Sequence, residues 1–143
     1  MNCVTVTFYA HGHENMLATH KTTFEVTKEE HLTKQGDCIV AVGSTKGAAD
    51  LPEEFKKAAK TDDAKITVTI TVDGLSETLH AKGSPLLSFT HPTDLVVRKS
   101  SYVCGRTLAI HADKSAMEFS RKLVEKLKDP NQQATVTLRV ENY

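Results

Sequence analysis

The sequence predicts a mainly β domain, with antiparallel sheets packed as a sandwich or open barrel and two helices packed on an end or edge. Three observations carry this. Several short runs alternate strictly between apolar and polar residues, which buries one face of a strand and leaves the other wet. These runs follow one another directly, whereas a doubly wound α/β sheet would alternate strands with helices. Only two segments change to helical spacing.

Residues 4–9 alternate, with Val4, Val6 and Phe8 against Thr5, Thr7 and Tyr9. A weaker strand is readable over 20–27 around Phe24 and Val26. The 37–42 run is apolar on both parities through Cys38, Ile39, Val40 and Val42, which places it centrally in a sheet. Leu51, Phe55, Ala58 and Ala59 then lie on one face of a helix over 51–60. Asp50 caps it, Glu53 completes a capping box, and Pro52 is tolerated in the first turn.

The best alternation is 65–72, with Ile66, Val68, Ile70 and Val72 against Thr67, Thr69 and Thr71. Asp73-Gly74 supplies the positive φ of a two-residue hairpin turn into 75–82. Further strands are expected over 86–90, 95–98 and 103–111. The second helix spans 114–128 on the stripe Ala116, Phe119, Leu123, Val124 and Leu127, capped by Asp113 and stopped by Asp129-Pro130. Residues 134–140 alternate again. The total is about eight or nine strands. No internal repeat or linker is visible, so residues 1–143 read as a single globular domain.

The chain has 143 residues, with 18 Lys and Arg against 18 Asp and Glu. This balance argues against a general nucleic-acid or anionic-membrane binder, and the absence of Trp and of a stacking motif argues against RNA. No apolar run approaches the roughly 20 residues of a membrane helix. Cys3, Cys38 and Cys104 are an odd set without a Cys-x-x-Cys pair, which suits free thiols in a reducing cytoplasm. The alternating N-terminus does not read as a signal peptide. A soluble cytoplasmic protein is expected.

Three places attract attention as chemistry. His11-x-His13 on a strand would point two imidazoles to one side, with His20 joining from the next strand to bind a metal; the plain alternative is a turn at Gly12. The segment Val42–Gly47 lies between a strand and a helix, where backbone N–H groups can cradle phosphate. Its residue order departs from the P-loop and Asp50 would repel an anion, so it reads as a turn. The stretch 90–106 gathers Arg98, Lys99 and Arg106 with the hydroxyls of Ser100, Ser101 and Tyr102. Guanidinium groups suit carboxylate or phosphate, although such clusters also form solvated, internally paired faces. Cys104 stands two residues from Arg106, and a cation nearby would lower its pKa, but no His is tied to it. Cys38 shares parity with Val40 and Val42 and reads as a core residue. No catalytic residue follows.

Taken together, Gly12-His13-x-Asn15, Ala18-Thr19-His20-x-Thr22-Thr23-x-Glu25, Leu32-Thr33, Gly36-Asp37-Cys38-Ile39, Gly83-x-Pro85, Val97-Arg98-Lys99-Ser100-x-Tyr102-Val103, Arg106-Thr107 and Ala112-Asp113-Lys114-x-Ala116 form a recognisable set. Over nearly the whole chain it resembles the family catalogued as domain of unknown function 371. That family has no assigned activity, so the resemblance brings no cofactor and no catalytic role. It implies one small β-sandwich domain of jelly-roll type.

The family's characteristic residues are largely polar, and packing alone rarely demands so many ionisable groups. They are expected to converge. His13, Asn15, His20, Arg98, Lys99, Ser100 and Arg106 would hold a small anionic or phosphorylated ligand. Glu25, Asp37, Asp113 and Lys114 would surround it as a polar network. The structural alternative is an ion-pair network fixing the sandwich ends. Two other functions compete. One is a metal-assisted hydrolase or isomerase with His13, His20 and a carboxylate, Glu25 or Asp37, as ligands. The other is a protein-interaction module or homodimer, pairing through sheet edges and the outward rows Thr67, Thr69, Thr71 and Thr135, Thr137.

Overall fold

The alternating runs become strands with their apolar parity turned inward. The computed structural model describes residues 2–143. In chain order the elements are β1 (Asn2–His11), β2 (Thr23–Thr27), β3 (Ile39–Ala41), a 3-10 turn (Ala48–Asp50), α1 (Glu53–Ala59), β4 (Lys65–Val72), β5 (Leu75–Lys82), β6 (Asp94–Arg98), β7 (Thr107–Ala109), a second 3-10 turn (Ala116–Glu118), α2 (Arg121–Lys126) and β8 (Gln133–Asn142). The protein is therefore mainly β, with eight strands and two short helices among the described residues. Among the described residues, no helix is long and apolar enough to cross a membrane.

The strands form two four-stranded sheets, ordered β1-β8-β4-β5 and β3-β2-β6-β7. The first is antiparallel throughout. Its inward residues include Phe8, Ile66, Val68, Ile70, Leu79, Val136 and Leu138, all buried. From the second sheet Phe24, Val26, Leu95 and Val97 join the same apolar cluster, as do Phe55 of α1 and Leu123 of α2. The Asp73-Gly74 turn closes the β4–β5 hairpin, with both residues at positive φ (48° and 80°) as that turn requires.

The second sheet departs from the expected antiparallel arrangement. Only β2 and β6 are antiparallel; β2–β3 and β6–β7 are parallel. The 37–42 run is not central either, because β3 lies at the sheet edge. Its two-sided burial has another cause. The end of β1 crosses over it, His11 pairing with Val42, so this edge is covered by the neighbouring sheet. The expected strand over 86–90 is absent. Leu87 turns back on Ser84 and Phe89 adopts φ 51°, which no strand accommodates.

Both helices are shorter than the spacing suggests; each is preceded by a 3-10 turn, and the second turn takes Ala116 from the expected stripe. Asp50 closes the first turn by accepting the Gly47 N–H at 2.9 Å instead of capping α1. Asp113 likewise accepts the His80 N–H at 2.9 Å and does not cap α2.

The chain does contain an internal repeat, contrary to the reading of the sequence. The order strand, strand, strand, 3-10 turn, helix, strand occurs twice, as β1 to β4 and as β5 to β8. Each sheet order maps onto itself when the halves are exchanged. Many backbone bonds match between the halves. His11 bridges Val42 as Lys82 bridges Ile110. Thr19 and His20 donate to Asp37 O as Thr90 and His91 donate to Gly105 O. Lys28 pairs with Asp50 as Lys99 pairs with Glu118. The sequence trace is thin, with Thr19-His20-x-Thr22 matching Thr90-His91-x-Thr93 and Lys46-x-Ala48 matching Lys114-x-Ala116. Hydrophobic identity is exchanged freely within such a core provided volume is kept, so most of the repeat is written in backbone pairing.

Candidate functional site

The outer face of the second sheet carries the densest group of ionisable side chains. Phe24, Val26, Leu95 and Val97 point into the core, so Glu25, Thr27, Asp94 and Arg98 point the other way. Across the ladder Glu25 stands opposite Val96, Thr27 opposite Asp94, and Thr23 opposite Arg98. The loops entering β3 and β7 bring Cys38 and Arg106 to the same face.

Arg106 Nη1 lies 3.1 Å from Asp94 Oδ2 and 3.5 Å from Glu25 Oε1. Asp94 Oδ1 also accepts the hydroxyls of Thr27 at 2.8 Å and Thr93 at 3.0 Å. The thiol of Cys38 donates to Glu25 Oε1 at 3.8 Å. His91 Nδ1 accepts the N–H groups of Thr93 and Asp94, which leaves its Nε2 turned toward Asp94 Oδ2, 3.9 Å away. Among the described residues, no buried side-chain nitrogen or oxygen lacks a hydrogen-bond partner.

The electrostatics follow from burial and sharing. Glu25 is 6% exposed; burial, and then the charge of Asp94, push its carboxyl up to about 7 against the pull of Arg106. Burial alone would raise Asp94 too, but the hydroxyls of Thr27 and Thr93 and the Arg106 guanidinium outweigh it and hold Asp94 below the ordinary range. One guanidinium thus faces two carboxyls of which only one is firmly ionised. Burial, Glu25 and Asp37 push the Cys38 thiol up to about 11, which makes it an inert thiol.

Arg98 stands apart from these pairs. Its Nε donates to Thr107 Oγ1 at 3.1 Å and its Nη2 to Cys104 Sγ at 3.4 Å. Its guanidinium carbon lies 4.9 Å from the centroid of the exposed Tyr102 ring. Among the described residues no carboxylate is within ion-pair distance of it. A guanidinium has five N–H donors, so Arg98 keeps donors to spare. Burial would raise the Cys104 thiol, but the Arg106 backbone N–H, the Thr107 hydroxyl and Arg98 together hold it below the ordinary thiol range.

The structure thus gathers Glu25 and Arg106 with Arg98 beside them, and distributes the other residues singled out in the sequence. The His13 N–H donates to Leu127 O, and its Nδ1 accepts the Asn15 N–H. Asn15 Nδ2 donates to Leu32 O at 2.9 Å. His20 Nδ1 accepts the N–H groups of Thr22 and Thr23. Lys99 pairs with Glu118, and Ser100 Oγ accepts the Tyr102 N–H. Asp37 contributes its backbone carbonyl to Thr19 and His20. Lys114 pairs with Glu77 at 2.7 Å. Neither His13 nor His20 shares a hydrogen bond with either arginine. Among the described residues, no three His, Cys, Asp or Glu side chains are placed to hold one metal ion.

Asp94 and Cys38 belong to the cluster but were not singled out as part of a site. Asp94 carried a signal, since it shares strand parity with Arg98. Cys38 carried none, because its partner Glu25 comes from a different strand.

The family model described as Domain of unknown function (DUF371) matches residues 8–141. An uncharacterised protein of Methanocaldococcus jannaschii is 48% identical over 120 residues, covering 84% of this chain and 88% of that protein. A model match over nearly every element of both sheets, with this degree of identity, places the chain in the DUF371 family.

Proposed function

We propose that the protein is a binding module for a small anionic molecule, carboxylated or phosphorylated, anchored by Arg98 on the outer face of the second sheet. One observation carries the reading. Arg98 is half-buried, fixed by Thr107 and Cys104, and among the described residues has no carboxylate partner, whereas Lys99, Arg106 and Lys114 are each matched to one. A positioned guanidinium with free donors takes a carboxylate or phosphate bidentately. Tyr102 above it offers an aromatic wall, and partial burial strengthens the charge interaction relative to open water. On this reading the two sheets act as a sandwich-like frame holding the β6 and β7 ends rigid.

The test is a thermal-stability titration with phosphate esters and dicarboxylates. A ligand at about 100 times its Kd adds about 2.7 kcal/mol to stability. Arg98→Ala is expected to abolish that gain while unfolding as cooperatively as the parent. A stabilising ligand whose effect survives in Arg98→Ala would overturn the reading.

A further inference from the structure

Comparing the two halves exposes a second place of interest, independent of Arg98. A cleft of about 520 Å3 lies where the paired ends of β4 and β5 meet the segment after β7 that bridges Lys82, walled by Lys65, His80, Lys82, His111, Glu141 and Tyr143. This volume falls within the range of small-molecule pockets. Lys65 Nζ lies 5.8 Å from the Tyr143 ring centroid. The Glu141 carboxylate is already engaged by Arg139 at 3.2 Å and by the Tyr143 hydroxyl. Among the described residues neither lysine has an ion-pair partner there, and neither imidazole makes a side-chain hydrogen bond.

The corresponding place in the first half is built differently. Matching bridges set His11 against Lys82, and matching bonds from Gly43 N to Glu29 O and from His111 N to Ser100 O set Gly43 against His111. The residue after each acceptor is Glu30 in one half and Ser101 in the other. In the first half the Glu30 carboxylate docks on His11 Nε2 at 2.8 Å. A Cβ on Gly43 would fall 2.2 Å from His11 Nε2 and 2.4 Å from Glu30 Oε1, so the glycine makes room for that pair. An internal anion therefore occupies the first-half position.

The second half has Lys82 in place of His11 and Ser101 in place of Glu30, and the nearby Glu141 carboxylate is engaged by Arg139 and Tyr143. This half also places His111 at φ 52°, a conformation that Gly43 adopts at φ 59° without cost. A non-glycine residue held there is strained, and strain of this kind gathers at ligand sites. Here it sets an imidazole on the cleft wall, opposite two lysines.

We propose that this cleft binds a phosphorylated small molecule, its phosphate taking on Lys82 and Lys65 the place that the Glu30 carboxylate takes on His11. Lysine ammonium groups carry three donors each and suit phosphate, and the room beyond them faces Tyr143. His111 donates from the third side. The loop 99–102 separates this cleft from Arg98: its Ser100 carbonyl accepts from His111, and its Tyr102 ring covers Arg98.

The experiment is a titration with inorganic phosphate, followed by the NMR resonances of the histidine rings. The His80 and His111 signals are expected to move together along one binding curve, with those of His13 unmoved. Lys82→Ala is expected to weaken phosphate by about tenfold, equivalent to about 1.4 kcal/mol. His111→Gly, which removes the strain and so leaves the fold intact, is expected to weaken it severalfold in the His80 signal. Arg98→Ala is expected to leave the curve unchanged, which separates this site from the one proposed above. Immobile His80 and His111 signals up to about 50 mM phosphate, or an identical curve in Lys82→Ala, would overturn the proposal.

Discussion

Glu25 shows how strongly burial, and then a charge from another strand, can reset one side chain. Its carboxyl keeps a proton up to about pH 7 in the folded state and releases it near 4.5 when exposed. Between those values the folded state binds more protons than the unfolded one, so stability falls as pH rises from about 4.5 to 7 and then stays at the lower level. Glu25→Gln cannot titrate and keeps the contact with Cys38 and Arg106. It is expected to match the parent near pH 4 and to exceed it by about 1–3 kcal/mol at pH 8. Urea unfolding at the two pH values measures this, and an equal difference at both would rule out burial as the cause. Cys38 and Cys104 make the same point as thiols. Their surroundings push one up to about 11 and hold the other down.

At the scale of elements, the short helices depend on side chains from elsewhere. A helix of the length of α2, Arg121–Lys126, has too few internal bonds to persist alone. Glu77 of β5 supplies what is missing. Its Oε1 accepts the Ser120 N–H at 2.6 Å at the start of α2, and its Oε2 accepts Lys114. Glu77→Ala is expected to destabilise the protein by about 1–3 kcal/mol, discounted because Lys114 is partly exposed and regains water. Thermal unfolding against Lys114→Ala separates the contributions, since only the Glu77 change removes the cap. The failed expectations about Asp50 and Asp113 have the same origin. An acidic residue ahead of an apolar stripe marks a turn start, but which backbone N–H it meets is set by the strand or loop that packs beside it.

For the whole molecule, the two halves are interleaved and not merely adjacent. β8 lies between β1 and β4, so each half supplies the neighbour that the other half's strands need. In residues 1–72 alone, β1 would lose β8, and β4 would lose both β8 and β5. That segment is expected to be unfolded by circular dichroism, while the full chain unfolds in a single cooperative transition. A folded fragment would show that the repeat is a pair of independent units.

The alternation of residues 4–9, 65–72 and 134–140 and the Asp73-Gly74 turn were legible because strand parity and turn φ are local properties, decided by residues next to each other in the chain. The same holds for the inward face of every long strand. Pairing partners are decided at a distance. That β3 runs parallel to β2 at a covered edge, that Arg106 from one half meets Glu25 from the other, and that Glu30 fills a position its counterpart Ser101 leaves open all depend on closing long loops around a shared core. No periodicity encodes these contacts, because what fixes them is the burial of both sheets in one apolar cluster.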